Sequence, residues 1–111
     1  MKRINQNLLR KIAMRSNREQ RHASIIFDHG TPISFASNND KYHSEEFAII
    51  QCNFEDRIAL KGKIMVNIRI TRGGRVGLAK PCPSCYELLR ERKFRKIIYS
   101  TNDGRFVEEY L

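Results

Sequence analysis

The sequence predicts an α/β protein: a three-layer α/β/α sandwich around one mixed sheet that closes in a C-terminal antiparallel hairpin. Three observations carry this expectation. Segments of strand period and helix period alternate in the order α-β-β-α-β-α-β-β. The chain has 111 residues, 41% apolar and 30% charged. That balance suits one folded domain over 1–111 with a real core, and excludes a disordered chain. Eleven residues follow Ser100. A parallel last strand needs a crossover of roughly a dozen residues or more, so the last strand is expected to be antiparallel.

The first element is an amphipathic helix over 4–16. Leu8, Leu9, Ile12 and Ala13 fall on one stripe and the cations on the other side. His22–Phe27 (HASIIF) is a strand, Asp28-His29-Gly30 a turn, and Pro32–Ala36 (PISFA) the returning strand. Ser37–Asp40 is a polar loop. From Tyr42 to Cys52, Phe47, Ala48 and Ile50 form a helical stripe, with Glu45 and Glu46 in the first turn, where the dipole favours them. Lys63–Thr71 is a strand whose Ile64, Val66, Ile68 and Ile70 alternate with polar partners. Arg72–Arg75 is a turn and Val76–Leu78 a short return. Pro83–Arg92 is a helix opened by a proline, whose missing N–H had no partner there anyway. Lys96–Ser100 and Arg105–Tyr110 are strands joined by Asn102-Asp103-Gly104. Phe27, Phe35, Phe47, Phe94 and Cys52 are assigned to the core, and His22 and His29 to packing or surface positions.

The net charge is +9, which suits phosphate-bearing partners or simple solubility. Residues 1–21, a basic helix and its lead-in, hold seven Lys and Arg against Glu19 alone. Arg10, Lys11, Arg15 and Arg18, with Lys80 further on, are the candidate phosphate or nucleic-acid contacts. No apolar run approaches the ~20 residues that cross a bilayer, so no membrane partner is expected. The amino terminus has no continuous apolar stretch of a secretory signal, and the expected location is cytoplasmic.

Cys82 and Cys85 form C-x-x-C. The spacing fits a redox pair at a helix start or half of a zinc site. His43-Ser44-Glu45, an H-x-E at another helix start, supplies what a zinc site lacks. His43 would be the third ligand, and Glu45 would reach the water in the open fourth position. Three protein ligands and one open position are the arrangement of catalytic zinc.

H-x-E followed by P-C-x-x-C is also the signature of zinc-dependent nucleobase deaminases. The sequence resembles the cytidine/deoxycytidylate deaminase superfamily through HSEEFAI (43–49), KPCPSC (80–85) and a first hairpin, ASIIFDHGTPISFASN (23–38). The resemblance implies the family's three-layer fold, Zn2+ as cofactor, hydrolase activity and a homo-oligomer. It implies zinc ligation by His43, Cys82 and Cys85. Glu45 would carry the proton from water to the ring nitrogen and then to the leaving ammonia. Asn38 and Asp40 would contact the sugar, the backbone around Ser44 the base edge, and Tyr42 the pocket wall. The chain departs from its relatives in a short loop between Asn38 and His43, and in an insertion over Arg72–Leu78. Lys80 stands where many relatives carry Glu, Ser or Thr; it is expected to point away from the metal and to add a cation near the pocket mouth.

The antiparallel hairpin favours a small pyrimidine nucleoside or nucleotide as substrate, with cytosine converted to uracil. The alternative is cytosine in single-stranded DNA or RNA. A further alternative is a zinc-stabilised nucleic-acid-binding module without catalysis, against which Glu45 stands, because a structural site needs no general base.

Overall fold

A computed structural model describes residues 6–14, 21–39, 41–56 and 60–111. Among them the elements are α1 (Gln6–Ala13), β1 (Arg21–Asp28), β2 (Thr31–Ser37), α2 (Ser44–Asp56), β3 (Ile64–Ile70), β4 (Val76–Gly77), α3 (Pro83–Glu91), β5 (Lys96–Ser100) and β6 (Phe106–Tyr110). One mixed sheet runs β2-β1-β3-β5-β6, with β4 paired to β3. β3 and β5 are parallel, Ile64 opposite Lys96 through Asn67 opposite Tyr99. α3 is the crossover between them. β5 and β6 form the expected antiparallel hairpin. The β1–β2 hairpin turns on His29 and Gly30, both at positive φ, as a two-residue turn that matches strand twist requires.

Both faces of the sheet are covered. Leu9, Ile12 and Ala13 of α1 pack with Ala23, Ile25, Val66, Ile68, Ile70 and Ile98 on one face. On the other, Ala48, Ile49 and Cys52 of α2 and Leu89 of α3 pack with Ile26, Met65, Ile97 and Tyr99. This double cover changes the reading of β3. Its even-numbered residues face α1, and Met65 and Asn67, taken in the sequence as polar-side positions, are equally buried beneath α2 and α3.

The first helix, expected over 4–16, is described over Gln6–Ala13 with Met14 in a turn, and residues 4–5 and 15–16 lie outside the described residues. Two expectations are corrected. The buried stripe of α2 is Glu45, Ala48, Ile49 and Cys52, at i, i+3, i+4 and i+7, while Ile50 is 41% exposed. Of the expected stripe, Ala48 is buried and Phe47 packs half-buried against the same cluster; Ile50 alone turns outward, because packing chose the face that carries Glu45 inward. Phe35 is 44% exposed. On the edge strand β2 the pleat turns Ser34 and Ala36 inward, Ser34 Oγ bonding the Ala48 carbonyl at 2.8 Å, and leaves Phe35 outside. Phe94 and Cys52 are buried as expected, and Phe27 and Phe47 half-buried.

The contrast between Ile49 and Ile50 makes a direct test. Ile49→Ala is expected to cost about 2–5 kcal/mol of stability, and Ile50→Ala to stay within about 0.5 kcal/mol. Urea midpoints of the two variants check this.

Candidate metal centre and active-site pocket

Two helix starts converge at one place. His43 immediately precedes α2, its carbonyl accepting the Phe47 N–H at 3.0 Å. Cys82 is the N-cap of α3, with Pro83 next, and its carbonyl accepts the Tyr86 N–H at 3.0 Å. Cys85 lies in the first turn of the same helix. The chain leading to Cys82 is pinned to β5: the Ala79 N–H donates to the Ser100 carbonyl at 2.8 Å, and Ser100 Oγ to the Gly77 carbonyl at 2.7 Å.

His43 Nδ1 is 3.5 Å from Cys85 Sγ and 3.9 Å from Cys82 Sγ, and all three donor atoms lie within 4.8 Å of one another. A tetrahedral zinc ion, with bonds of about 2.3 Å to sulfur and 2.0–2.1 Å to nitrogen, sets neighbouring donors about 3.6 Å apart. The three donors fit that geometry. Their electrostatics suit a cation as well. Desolvation works against the Cys82 thiolate, but the Ser84 hydroxyl and backbone groups at Cys85 and Ser84 outweigh it and lower the thiol pKa. Burial, then the nearby Glu45 carboxylate, pushes Cys85 the other way, a penalty that a shared cation relieves.

Glu45 is buried beside these ligands. Asn67 Nδ2 donates to its Oε2 at 3.1 Å, and Ser44 Oγ lies 3.2 Å from its Oε1. Ser24 Oγ donates to Asn67 Oδ1 at 2.6 Å and is 2.7 Å from Ser44 Oγ. The ring has few protons to place. Ser24 spends its one proton on Asn67, so Ser44 must donate either to Ser24 or to Glu45. A protonated Glu45 satisfies every member by donating to Ser44. An ionised one is satisfied when Ser44 turns. Burial raises the Glu45 pKa against the hydrogen bonds from its own backbone N–H and from Ser44, the charge of His43 and the hydrogen bond from Asn67.

His22, Asn38, Asn39, Tyr42, His43, Ser44, Glu45, Ala79, Lys80 and Cys82 line one cavity of about 240 Å³ over this site. Tyr42 stacks on Phe47 with ring centroids 5.9 Å apart. Asn38 Oδ1 accepts the His22 backbone N–H at 3.0 Å, so the residue is fixed to β1 as well as facing the cavity. Asn39 Oδ1 accepts the N–H groups of Lys41 and Tyr42, which shapes the short loop before His43.

Of the residues singled out in the sequence, the fold brings together His43, Ser44, Glu45, Cys82 and Cys85, with Asn38, Tyr42 and Lys80 on the walls. Lys80 is exposed, at the rim. Arg10 and Lys11 sit on α1, in the layer across the sheet from the ligands, and Arg10 Nη1 bonds the Gly74 carbonyl at 2.8 Å. Asp40, Arg15 and Arg18 lie outside the described residues. Four polar residues of the site were missed: Ser24, His22, Asn39 and Asn67. The Asn67 signal was legible in principle, as a lone amide at the centre of a strand that a sandwich covers on both faces. Nothing in the local sequence marks His22 or Ser24.

Burial, then the charges of Arg69 and His43, lowers the His22 pKa from 6.5 to about 4. The unfolded chain therefore binds a proton between those values that the folded chain refuses. Stability falls as pH drops through 6.5 toward 4, by roughly 2 kcal/mol at about pH 5. Urea unfolding of metal-free protein near pH 7 and pH 5 checks this, since His22→Gln should remove that part of the pH dependence. Cys82→Ser and Cys85→Ser are each expected to lose stoichiometric zinc, measured by elemental analysis. Chelation should lower the melting temperature of the parent and not of these variants.

The chain matches the family described as the cytidine and deoxycytidylate deaminase zinc-binding region over residues 9–101. Among solved structures it is similar to the dCMP deaminase of the cyanophage S-TIM5 in apo form, at 14% identity and a TM-score of 0.66 over 86% of this chain and 78% of that one. It is also similar to RibD of Acinetobacter baumannii, at 16% identity and a TM-score of 0.56 over 85% of this chain, which spans only 25% of that protein. At such identities the likeness is one of fold. No curated protein sequence matches. With a zinc-type His-Cys-Cys cluster at the helix starts and the family's match running from α1 to the end of β5, the chain belongs to the cytidine and deoxycytidylate deaminase family.

Proposed function

We propose that the protein is a zinc-dependent hydrolytic deaminase that converts the cytosine base of a pyrimidine nucleoside or nucleotide to uracil and releases ammonia. One observation carries this reading: Glu45 is buried in the cavity that His43 and Cys82 also line. A zinc ion held by His43, Cys82 and Cys85 supplies the Lewis acidity that makes water a nucleophile near neutral pH.

The chain's own residues do the rest. Glu45 takes the proton that water loses on attacking the ring carbon bearing the amino group. It delivers that proton to the ring nitrogen, then takes the second proton of the former water from the hydroxyl now on the ring carbon and passes it to the amino group, so that the C–N bond breaks as the carbonyl forms and ammonia leaves. Its raised pKa supports this role, because the neutral acid must be accessible between the two transfers. The Ser44 hydroxyl can serve Glu45 as acceptor or donor, so both forms of the carboxyl keep their hydrogen bonds. Asn67 holds one carboxyl oxygen and leaves the other to move the proton. Tyr42, braced by Phe47, supplies an aromatic wall for the base. A cavity of about 240 Å³ lies just below the range of about 300–1,000 Å³ typical of ligand sites, which suits one base with its sugar.

Glu45→Ala is expected to keep its zinc and lose turnover by about 10²–10⁴-fold, measured as uracil formed from cytidine, deoxycytidine and their monophosphates. Turnover equal to the parent would sink the mechanism. Asn67→Ala should lower kcat about 10–100-fold at unchanged zinc content.

A further inference from the structure

Lys80 borders three adjoining concavities. One is the cavity over the metal ligands. A second is an open groove of about 520 Å³ lined by Lys80, Pro81, Pro83, Tyr86 and Arg90. The third continues past Tyr86 and Arg90 to Tyr110 on the edge strand β6. Lys80, Tyr86, Arg90 and Tyr110 set cations beside rings along this path. The Arg90 guanidinium lies 5.3 Å from the centre of the Tyr86 ring, while Lys96, behind the Tyr110 ring at 5.6 Å, is paired with Glu108 at 2.9 Å and does not line the path. Tyr110 is 68% exposed. Among the described residues neither Lys80 nor Arg90 has an ion-pair partner. The carboxylate on the path, Glu109, is engaged by the Tyr86 hydroxyl. α3 keeps its other acids apart, because Glu87 and Glu91 line a separate concavity on its opposite flank.

We propose that this groove binds single-stranded nucleic acid, so that the reacting cytidine is one unit of a strand whose neighbouring nucleotides lie along Tyr86 and Tyr110. The inference rests on the deaminase reading of the cavity and names its substrate class. A phosphate linking the reacting nucleotide to the next one leaves the cavity at Lys80, where a cation stands. The next base meets the prolines and the Tyr86 ring, and Arg90 faces the phosphate after it. Aromatic faces take any base, and interleaved cations track the backbone. The net charge of +9 complements a polyanion. Stacked base pairs cannot lay their faces on these rings, which excludes a duplex.

The test uses the zinc-loaded full chain with deoxycytidine, dCMP, and short single strands of roughly five nucleotides carrying one central cytidine, as DNA and as RNA. A single strand should exceed dCMP in kcat/KM by about tenfold or more. Lys80→Gln and Arg90→Gln should each reduce that preference severalfold and lower the slope of log affinity against log salt by about one, while Arg90→Lys keeps the slope. Equal use of dCMP and the strands, or a preference untouched by both substitutions, overturns the proposal. So does equal binding of a duplex. Fluorescence anisotropy of a labelled strand on Glu45→Gln protein reads the groove without turnover. If the parent deaminates nothing, the deaminase reading falls. The groove then stands only as a binding surface if Arg90→Gln weakens the strand, and falls if it does not.

Discussion

Two helix starts meeting over one end of a parallel strand pair are the constraint on which the site depends. β3 and β5 are parallel, so the chain must cross between them, and α3 is that crossover. Its start is held by Pro83 and by the bonds from Ala79 and Ser100 that tie the approach to β5. α2 starts beside it because its buried stripe, which includes Glu45, packs on the same face of the sheet. The converging helix dipoles favour thiolates, a carboxylate and developing negative charge at that point. Gathering two thiols and a carboxyl there is nonetheless costly without a cation, as the raised pKa of Cys85, from burial and then from Glu45, indicates.

The second requirement is a closed ledger of hydrogen bonds under the ligands. Burying Glu45 with no partners would cost several kcal/mol. Ser24, Ser44 and Asn67 meet that need from three different elements. Because the ring has fewer protons than acceptors, its members can exchange a donor role without leaving a group unpaired. The same feature that permits burial thus permits proton movement, which links the folding of the sheet to the chemistry above it.

Charge turns out to be sorted by layer. The cations of α1 lie across the sheet from the metal ligands, with Arg10 spent on the Gly74 carbonyl. The cation at the cavity is Lys80, and the path it opens runs along α3 to β6. Net charge therefore says less about the site than the position of two or three cations beside exposed rings.

Much of this was readable one residue at a time. H-x-E, P-C-x-x-C, the Gly30 and Gly104 turns, the strand of alternating isoleucines and the antiparallel hairpin are all local patterns. The propensities and ligand spacings behind them act over a few residues. The face of α2 that packs inward and the exposure of Phe35 were not readable, since each depends on what covers the far side of a strand or helix. His22 and Tyr110 join the site and its neighbouring groove only through pairing of β1 with β3 and of β6 with β5. Register across a sheet is set by the sum of many side-chain contacts, so no short stretch of sequence carries it.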